Sequence, residues 1–214
     1  NIDANTKIVE ECIQKANIGF LMAPLLHSSM KHAVGPRREI GIKTIFNILG
    51  PLTNPARATR QVIGVYDAKL TDIVAKVLKK LNTEHAFVVY GYDGMDEITT
   101  TDKTKVCELK DGEIKSYFIT HDSFGIKKAE MKDFMVNSPE ESASAITAVL
   151  DGAIGPKRDI VLLNASAAIV TGGGVGNLRD GVRIAAESID SGRAKASLGK
   201  LIELTQNIGD ASKN

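Results

Sequence analysis

QVIGVYDAKLTDIVAKVLKKLNTEHAFVVY, residues 61–90, is the stretch whose reading decides the fold. Its two ends, QVIGVY at 61–66 and HAFVVY at 85–90, are short apolar runs rich in β-branched and aromatic residues, the composition of buried strands. Between them, residues 69–82 place Leu70, Ile73, Val74, Val77, Leu78 and Leu81 on one helical face. Strand, helix and strand in that order make a βαβ unit, which implies a parallel sheet with a right-handed crossover.

Working outward, residues 104–119 (TKVCELKDGEIKSYFI) change period. Two alternating runs flank Asp111-Gly112, the signature of an antiparallel hairpin. Ser138-Pro139-Glu140-Glu141 starts a helix, with a capping hydroxyl, a proline at the first position and acids in the first turn. Helical periodicity then runs from about 139 to 208, broken near 152–157 and at Gly172-Gly173-Gly174. Upstream, residues 4–16 read as a helix capped by Asn5 or Thr6, and Ile18–Met22 as a short buried strand. A second helix is expected from Pro24 to about Val34, interrupted by Gly35-Pro36. Gly50-Pro51-Leu52-Thr53-Asn54-Pro55 reads as a rigid, non-regular loop. The expected class is α/β, with a mostly parallel central sheet flanked by helices and a small antiparallel hairpin near 104–119.

The chain has 214 residues, enough for one sizeable domain. Its 27 Lys and Arg against 26 Asp and Glu leave a net charge of +1, which gives no global attraction to nucleic acid or an anionic membrane. Any anion site must be local. No apolar run reaches membrane-spanning length. Cys12 and Cys107 sit in no metal-type spacing and read as two reduced thiols, so a cytoplasmic protein is expected. The chain opens on Asn1-Ile2-Asp3 rather than Met, which reads as the middle of a longer protein.

Three stretches can carry chemistry. The segment 27–43 (HSSMKHAVGPRREIGIK) gathers His27, Lys31, His32, Arg37, Arg38 and Lys43. Arginine presents a planar fork suited to a carboxylate or phosphate, but on spacing alone a solvated basic helix face with Glu39 as partner is the better fit. The loop 47–55 (NILGPLTNP) can wall a small-molecule site or simply turn the chain. Gly91-Tyr92-Asp93-Gly94-Met95-Asp96-Glu97 directly follows a strand, where loops of a parallel sheet line the ligand crevice. Its adjacent acids suit hydrated Mg²⁺, or form an exposed acidic turn. The run Thr171-Gly172-Gly173-Gly174-Val175-Gly176 follows a helical stretch and precedes no Lys-Ser/Thr, so it reads as a connector between helices rather than a phosphate loop.

Taken together, HSSMKHAVGPRREIGIKTIFNILGPLTNPA at 27–56, VVYGYDGMDEIT at 88–99 and LNASAAI at 163–169 closely resemble the anthranilate phosphoribosyltransferase family, and the resemblance runs along essentially all 214 residues. It implies a nucleoside phosphorylase/phosphoribosyltransferase-like fold. It also implies transfer of phosphoribose from phosphoribosyl pyrophosphate (PRPP) to anthranilate, with release of pyrophosphate, in tryptophan biosynthesis. By the same resemblance Arg37 and His27 belong to the anthranilate site, Gly50 and Pro51 form the wall against which anthranilate packs, and Asp96 and Glu97 hold Mg²⁺. No catalytic base is nominated, because a neutral aromatic amine is already a nucleophile. Ser28, where the family commonly has proline, and Pro36, immediately before the arginine pair, depart from the family pattern and bear on the approach of Arg37. The family's GTGGD loop, its KHGNRS segment and the small helical domain through which it usually dimerises are expected upstream of Asn1. Residues 1–214 are then an incomplete catalytic α/β domain, expected to be inactive alone. Two alternatives remain: a pyrimidine nucleoside phosphorylase-type enzyme, against which the block 38–56 argues, and a non-enzymatic nucleic-acid-binding paralogue, against which the charge balance and the acidic pair argue.

Overall fold

The computed structural model describes residues 1–22, 25 and 46–206, with the side chains of 46 and 47 excepted. The chain divides into two compact units, Asn1–Gly50 with Gly192–Asn214, and Pro51–Ser191.

In the first unit, helix α1 (Thr6–Ala16) is capped by the Asn5 side chain, which accepts from the Ile8 N–H at 3.2 Å. It buries Val9, Cys12 and Ala16 and packs against the C-terminal helix Arg193–Gln206, whose Thr205 hydroxyl accepts from the N-terminal ammonium at 3.2 Å. The stretch Ile18–Met22 is not a strand: it pairs with no strand among the described residues, and Ile18 and Phe20 are about half exposed. A short apolar run has the same composition whether or not a second strand pairs with it, so its hydrophobicity alone misleads. Of the helix expected from Pro24 to Val34, only Leu25, which is helical, is among the described residues.

Helix α2 (Phe46–Leu52) takes in Gly50, Pro51 and Leu52, the first half of the segment expected to be a non-regular loop. Proline's fixed φ is helical, and because Pro51 stands one residue before the helix ends, its missing N–H and the crowding of its ring interrupt only the last turn.

The second unit carries the sheet. Strand β1 (Arg60–Gly64), helix α3 (Ala68–Lys80) and strand β2 (His85–Gly91) form the βαβ unit, and β1 and β2 pair in parallel from Arg60↔His85 to Gly64↔Val89. Strands β3 (Thr104–Lys110) and β4 (Glu113–Ile119) are the hairpin; Asp111 and Gly112, both at positive φ, make the tight turn. The hairpin does not stand apart: β3 pairs antiparallel with β2. The described sheet is therefore mixed, in the order β1-β2-β3-β4, with its parallel part confined to β1 and β2.

Both faces are covered. Among the described residues four more α-helices follow the hairpin: α4 (Pro139–Leu150), α5 (Pro156–Thr171), α6 (Leu178–Asp190) and, in the first unit, α7 (Arg193–Gln206). On one face Phe87, Val89 and Val106 pack with Ile98 and with Leu163, Ala167 and Val170 of α5. On the other, the alternate positions Ala86, Val88, Cys107 and Leu109 are buried under α3. The buried stripe of α3 is Thr71, Val74, Ala75 and Leu78, while Ile73 and Leu81 are about half exposed. Asp72, beside that stripe, staples α3 to the sheet by accepting from Lys105 Nζ at 2.5 Å and Ser116 Oγ at 2.9 Å.

The proline-opened start of α4 is as expected, with Ser138 Oγ accepting from the Glu141 N–H at 3.1 Å. Gly172–Gly174 connect α5 to α6, and Arg60 closes the end of α5 by donating to the Thr171 carbonyl at 2.8 Å. Among the described residues, no helix is long and apolar enough to cross a membrane, and Cys12 and Cys107 are free and buried.

Candidate active site

Parallel pairing brings the carboxyl ends of β1 and β2 to the same edge of the sheet, the edge where ligands of such folds sit. The loop that leaves β2 there is a built structure. Gly91 N–H donates to the Met95 carbonyl at 2.8 Å, and Gly94 turns the chain at a φ of +96°. Asp93 knots the loop to the residues that follow it. One carboxylate oxygen accepts from the Met95 N–H at 3.0 Å, and the other accepts from the hydroxyls of both Thr99 and Thr101.

Asp96 and Glu97 stand at the exposed end of this loop. Immediately after them the chain dives inward: Ile98, Thr99 and Thr100 are buried, and Ile98 joins the core beside Leu163. Two contacts fix the backbone around the pair. The carboxamide of Asn164 on α5 accepts from the Ile98 N–H and donates to the Ile98 carbonyl, both at 2.9 Å. Gly64, the last residue of β1, meets the Asp96 carbonyl so closely that a Cβ there would lie 1.6 Å from its oxygen.

The carboxylates of Asp96 and Glu97 make no hydrogen bond or ion pair with any described residue. Glu97 also forms part of the wall of a cavity of about 350 Å³, whose other lining includes Phe134, Ile146, Val149, Ile160 and Val161. Burial against that wall, followed by the negative charges of Asp96 and Asp93, raises the Glu97 pKa above the ordinary glutamate value. The nearby ammonium of Lys157 does not pair with it, because Lys157 donates to the Asp133 carbonyl. Unpaired, mutually repelling carboxylates open to solvent fit a hard cation that takes oxygen ligands. Two of them, rather than a closed cage, suit Mg²⁺, which keeps waters and takes up ligand phosphate oxygens.

Of the other expected site residues, Gly50 and Pro51 lie on α2, and among the described residues nothing lies within 4 Å of where a Cβ on Gly50 would stand. His27 and Arg37 fall outside the described residues, as do Ser28 and Pro36. Asn164 and Gly64 are the residues that sequence reasoning missed. Both stood in quoted stretches, LNASAAI and QVIGVY, but nothing local distinguishes a polar residue aimed at a distant backbone from an ordinary helical asparagine.

The chain matches the glycosyl transferase family, a/b domain, over residues 1–195. It is 48% identical over 208 residues to an anthranilate phosphoribosyltransferase of Acetivibrio thermocellus, a match that covers 97% of this chain and 60% of that protein. The crystal structure of anthranilate phosphoribosyltransferase from Thermus thermophilus superimposes with a TM-score of 0.87 at 33% identity, over 96% of this chain and 61% of that one. The Saccharomyces cerevisiae anthranilate phosphoribosyltransferase in complex with PRPP and Mg superimposes with a TM-score of 0.87 at 29% identity, over 97% and 60%. The chain thus spans about 60% of the length of the curated relatives it matches.

Proposed function

Because this chain belongs to the glycosyl transferase family, as its a/b domain, we propose that the full-length protein transfers phosphoribose from PRPP to the amine of anthranilate. The products are N-(5'-phosphoribosyl)anthranilate and pyrophosphate, and the step belongs to tryptophan biosynthesis. The observation that carries this reading is the acidic pair Asp96–Glu97, unpaired among the described residues and held on a braced loop at the carboxyl ends of β1 and β2. The names of the relatives support the substrate and the acceptor.

The chemistry follows from where charge moves. Departure of pyrophosphate from the anomeric carbon leaves negative charge on its oxygens and positive charge on the ribose ring. Asp96 and Glu97 would hold Mg²⁺, which when bound supplies positive charge against the pyrophosphate oxygens. Burial raises the Glu97 pKa and the repulsion between the carboxylates adds to it; a divalent cation relieves the repulsion. Arg37 binds the anthranilate carboxylate as a bidentate partner and orients the amine toward the anomeric carbon. The family resemblance assigns His27 to the same site and makes Gly50 and Pro51 the wall for the ring; a glycine with no described atom near the place of a Cβ suits close approach of a flat ring. The amine attacks as the neutral base, so no side chain is assigned to remove its proton beforehand.

The test is the loss of anthranilate fluorescence on addition of PRPP and Mg²⁺ to the full-length protein. Turnover is expected, and the double variant Asp96→Ala, Glu97→Ala should abolish metal-dependent use of PRPP. No turnover of anthranilate by the wild type refutes the activity, and an unchanged Mg²⁺ dependence in the double variant refutes the metal role.

A further inference from the structure

We infer that Asn164 is a positioning residue for the acidic pair: it sets the Glu97–Ile98 peptide, and with Gly64 it holds the loop in the geometry that binds metal. The inference rests on the proposed reading of Asp96 and Glu97 as the metal-holding residues.

The clamp is complete in hydrogen-bonding terms. A primary carboxamide offers one acceptor and two donor hydrogens. Asn164 spends its oxygen on the Ile98 N–H at 2.9 Å, and its nitrogen donates to the carbonyls of Ile98 and Ile160, each at 2.9 Å. The Ile98 N–H belongs to the peptide bond that joins Ile98 to Glu97, so this contact fixes the plane from which the Glu97 side chain departs. The bond to Ile160 lies within α5 and keeps the carboxamide in one orientation. Behind it, α5 is anchored by Leu163, which is 1% exposed and packs in the same core cluster as Ile98. The acidic pair is thereby referenced to a helix 66 residues further along the chain.

Gly64 supplies a second and independent constraint. Its Cα faces the Asp96 carbonyl, and a Cβ at that position would lie 1.6 Å from the carbonyl oxygen and 2.5 Å from its carbon. Any side chain there must push the Asp96 backbone away. Asp93 supplies the third, through Thr99, Thr101 and the Met95 N–H. Adjacent carboxylates repel, and nothing cationic among the described residues holds Asp96 and Glu97 together. The opposing restraint comes from the backbone contacts. A pair held in place before the cation arrives binds it without the cost of ordering a loop, the role that outer partners play at metal sites.

The experiment uses the full-length protein and two readouts. The first is hydrogen exchange of the Ile98 amide in the absence of ligands. The second is the dissociation constant of PRPP measured calorimetrically at a series of Mg²⁺ concentrations, without anthranilate. Asn164→Ala and Asn164→Asp should both speed exchange at Ile98. Each should also raise the Mg²⁺ needed for half-maximal PRPP binding by about 10- to 100-fold. Gly64→Ala should shift the Mg²⁺ requirement in the same direction. Asn164→Asp replaces the donor by an acceptor at nearly the same size, so it reports on the Ile98 carbonyl even if the alanine variant folds poorly. Gly181→Ala, which disturbs α6 against Ser166 of the same helix α5, controls for general loosening and should leave the Mg²⁺ requirement unchanged. Variants of Asn164 that speed exchange but bind PRPP with the wild-type Mg²⁺ dependence overturn the inference alone. A wild-type protein whose PRPP binding ignores Mg²⁺ overturns both the inference and the reading it rests on.

Discussion

Arg37 and Glu97 show how much a single residue can be asked to carry. Arg37 lies in a basic run that composition alone cannot separate from a solvated helix face, and its assignment comes from the block in which it stands. A charge-assisted bond to a carboxylate contributes about 1.5–3 kcal/mol, so Arg37→Ala should raise the KM for anthranilate by about 10- to 100-fold and leave that for PRPP nearly unchanged. An anthranilate KM within twofold of wild type sinks the assignment. Glu97 has a consequence for stability. Its raised pKa means that the folded state favours the protonated acid. The stabilising contribution is present below the ordinary glutamate pKa of about 4.3 and is lost as pH rises through the folded value. Without metal, Glu97→Gln should therefore be more resistant to urea than wild type at neutral pH. The gain should shrink as the pH falls through the folded pKa and be gone below about 4. Urea midpoints measured across that range check it, and an equal gap at every pH contradicts it.

At the scale of elements, α5 has two duties. Its Leu163, Ala167 and Val170 close one face of the sheet, while Asn164, on the same helix, braces the acidic loop. Its close packing against α6 depends on Gly181, where a Cβ would lie 2.9 Å from the Ser166 backbone oxygen. Leu163→Ala should cost about 2–5 kcal/mol in global stability; a denaturant curve displaced by less than about 1 kcal/mol means that Leu163 is not the core residue described here. The βαβ unit, the hairpin turn at Asp111-Gly112 and the caps of α1 and α4 were legible beforehand, because each depends on residues within a few positions of one another. The buried face of α3 was legible only in part. Ile73 and Leu81 satisfy the apolar period, yet the sheet covers the stripe centred on Val74 and Leu78.

For the whole molecule, the balance of 27 basic and 26 acidic residues sets the long-range field. A net charge of +1 offers little counterion release on a polyanion. The protein should therefore leave the mobility of duplex DNA unchanged at about 50–200 mM salt, whereas a salt-sensitive mobility shift would favour the nucleic-acid-binding alternative. The division into two compact units was not legible in composition, since no linker-like stretch marks it. The boundaries fall inside α2 and at Gly192, between α6 and α7.

By itself, the sequence determined the class of fold, the order of most elements and the position of the acidic pair, since hydrophobic period, caps and turn residues act over one or two turns of chain. Its long, specific block at 38–56 determined the family. The tertiary structure alone decided that Ile18–Met22 pairs with no strand among the described residues, that the hairpin joins the sheet through β2, and that Asp96 and Glu97 are held rather than loose. Each of these depends on groups distant in sequence. A hydrogen bond from Asn164 to Ile98 or a missing side chain at Gly64 acquires meaning only once the fold brings the partners together.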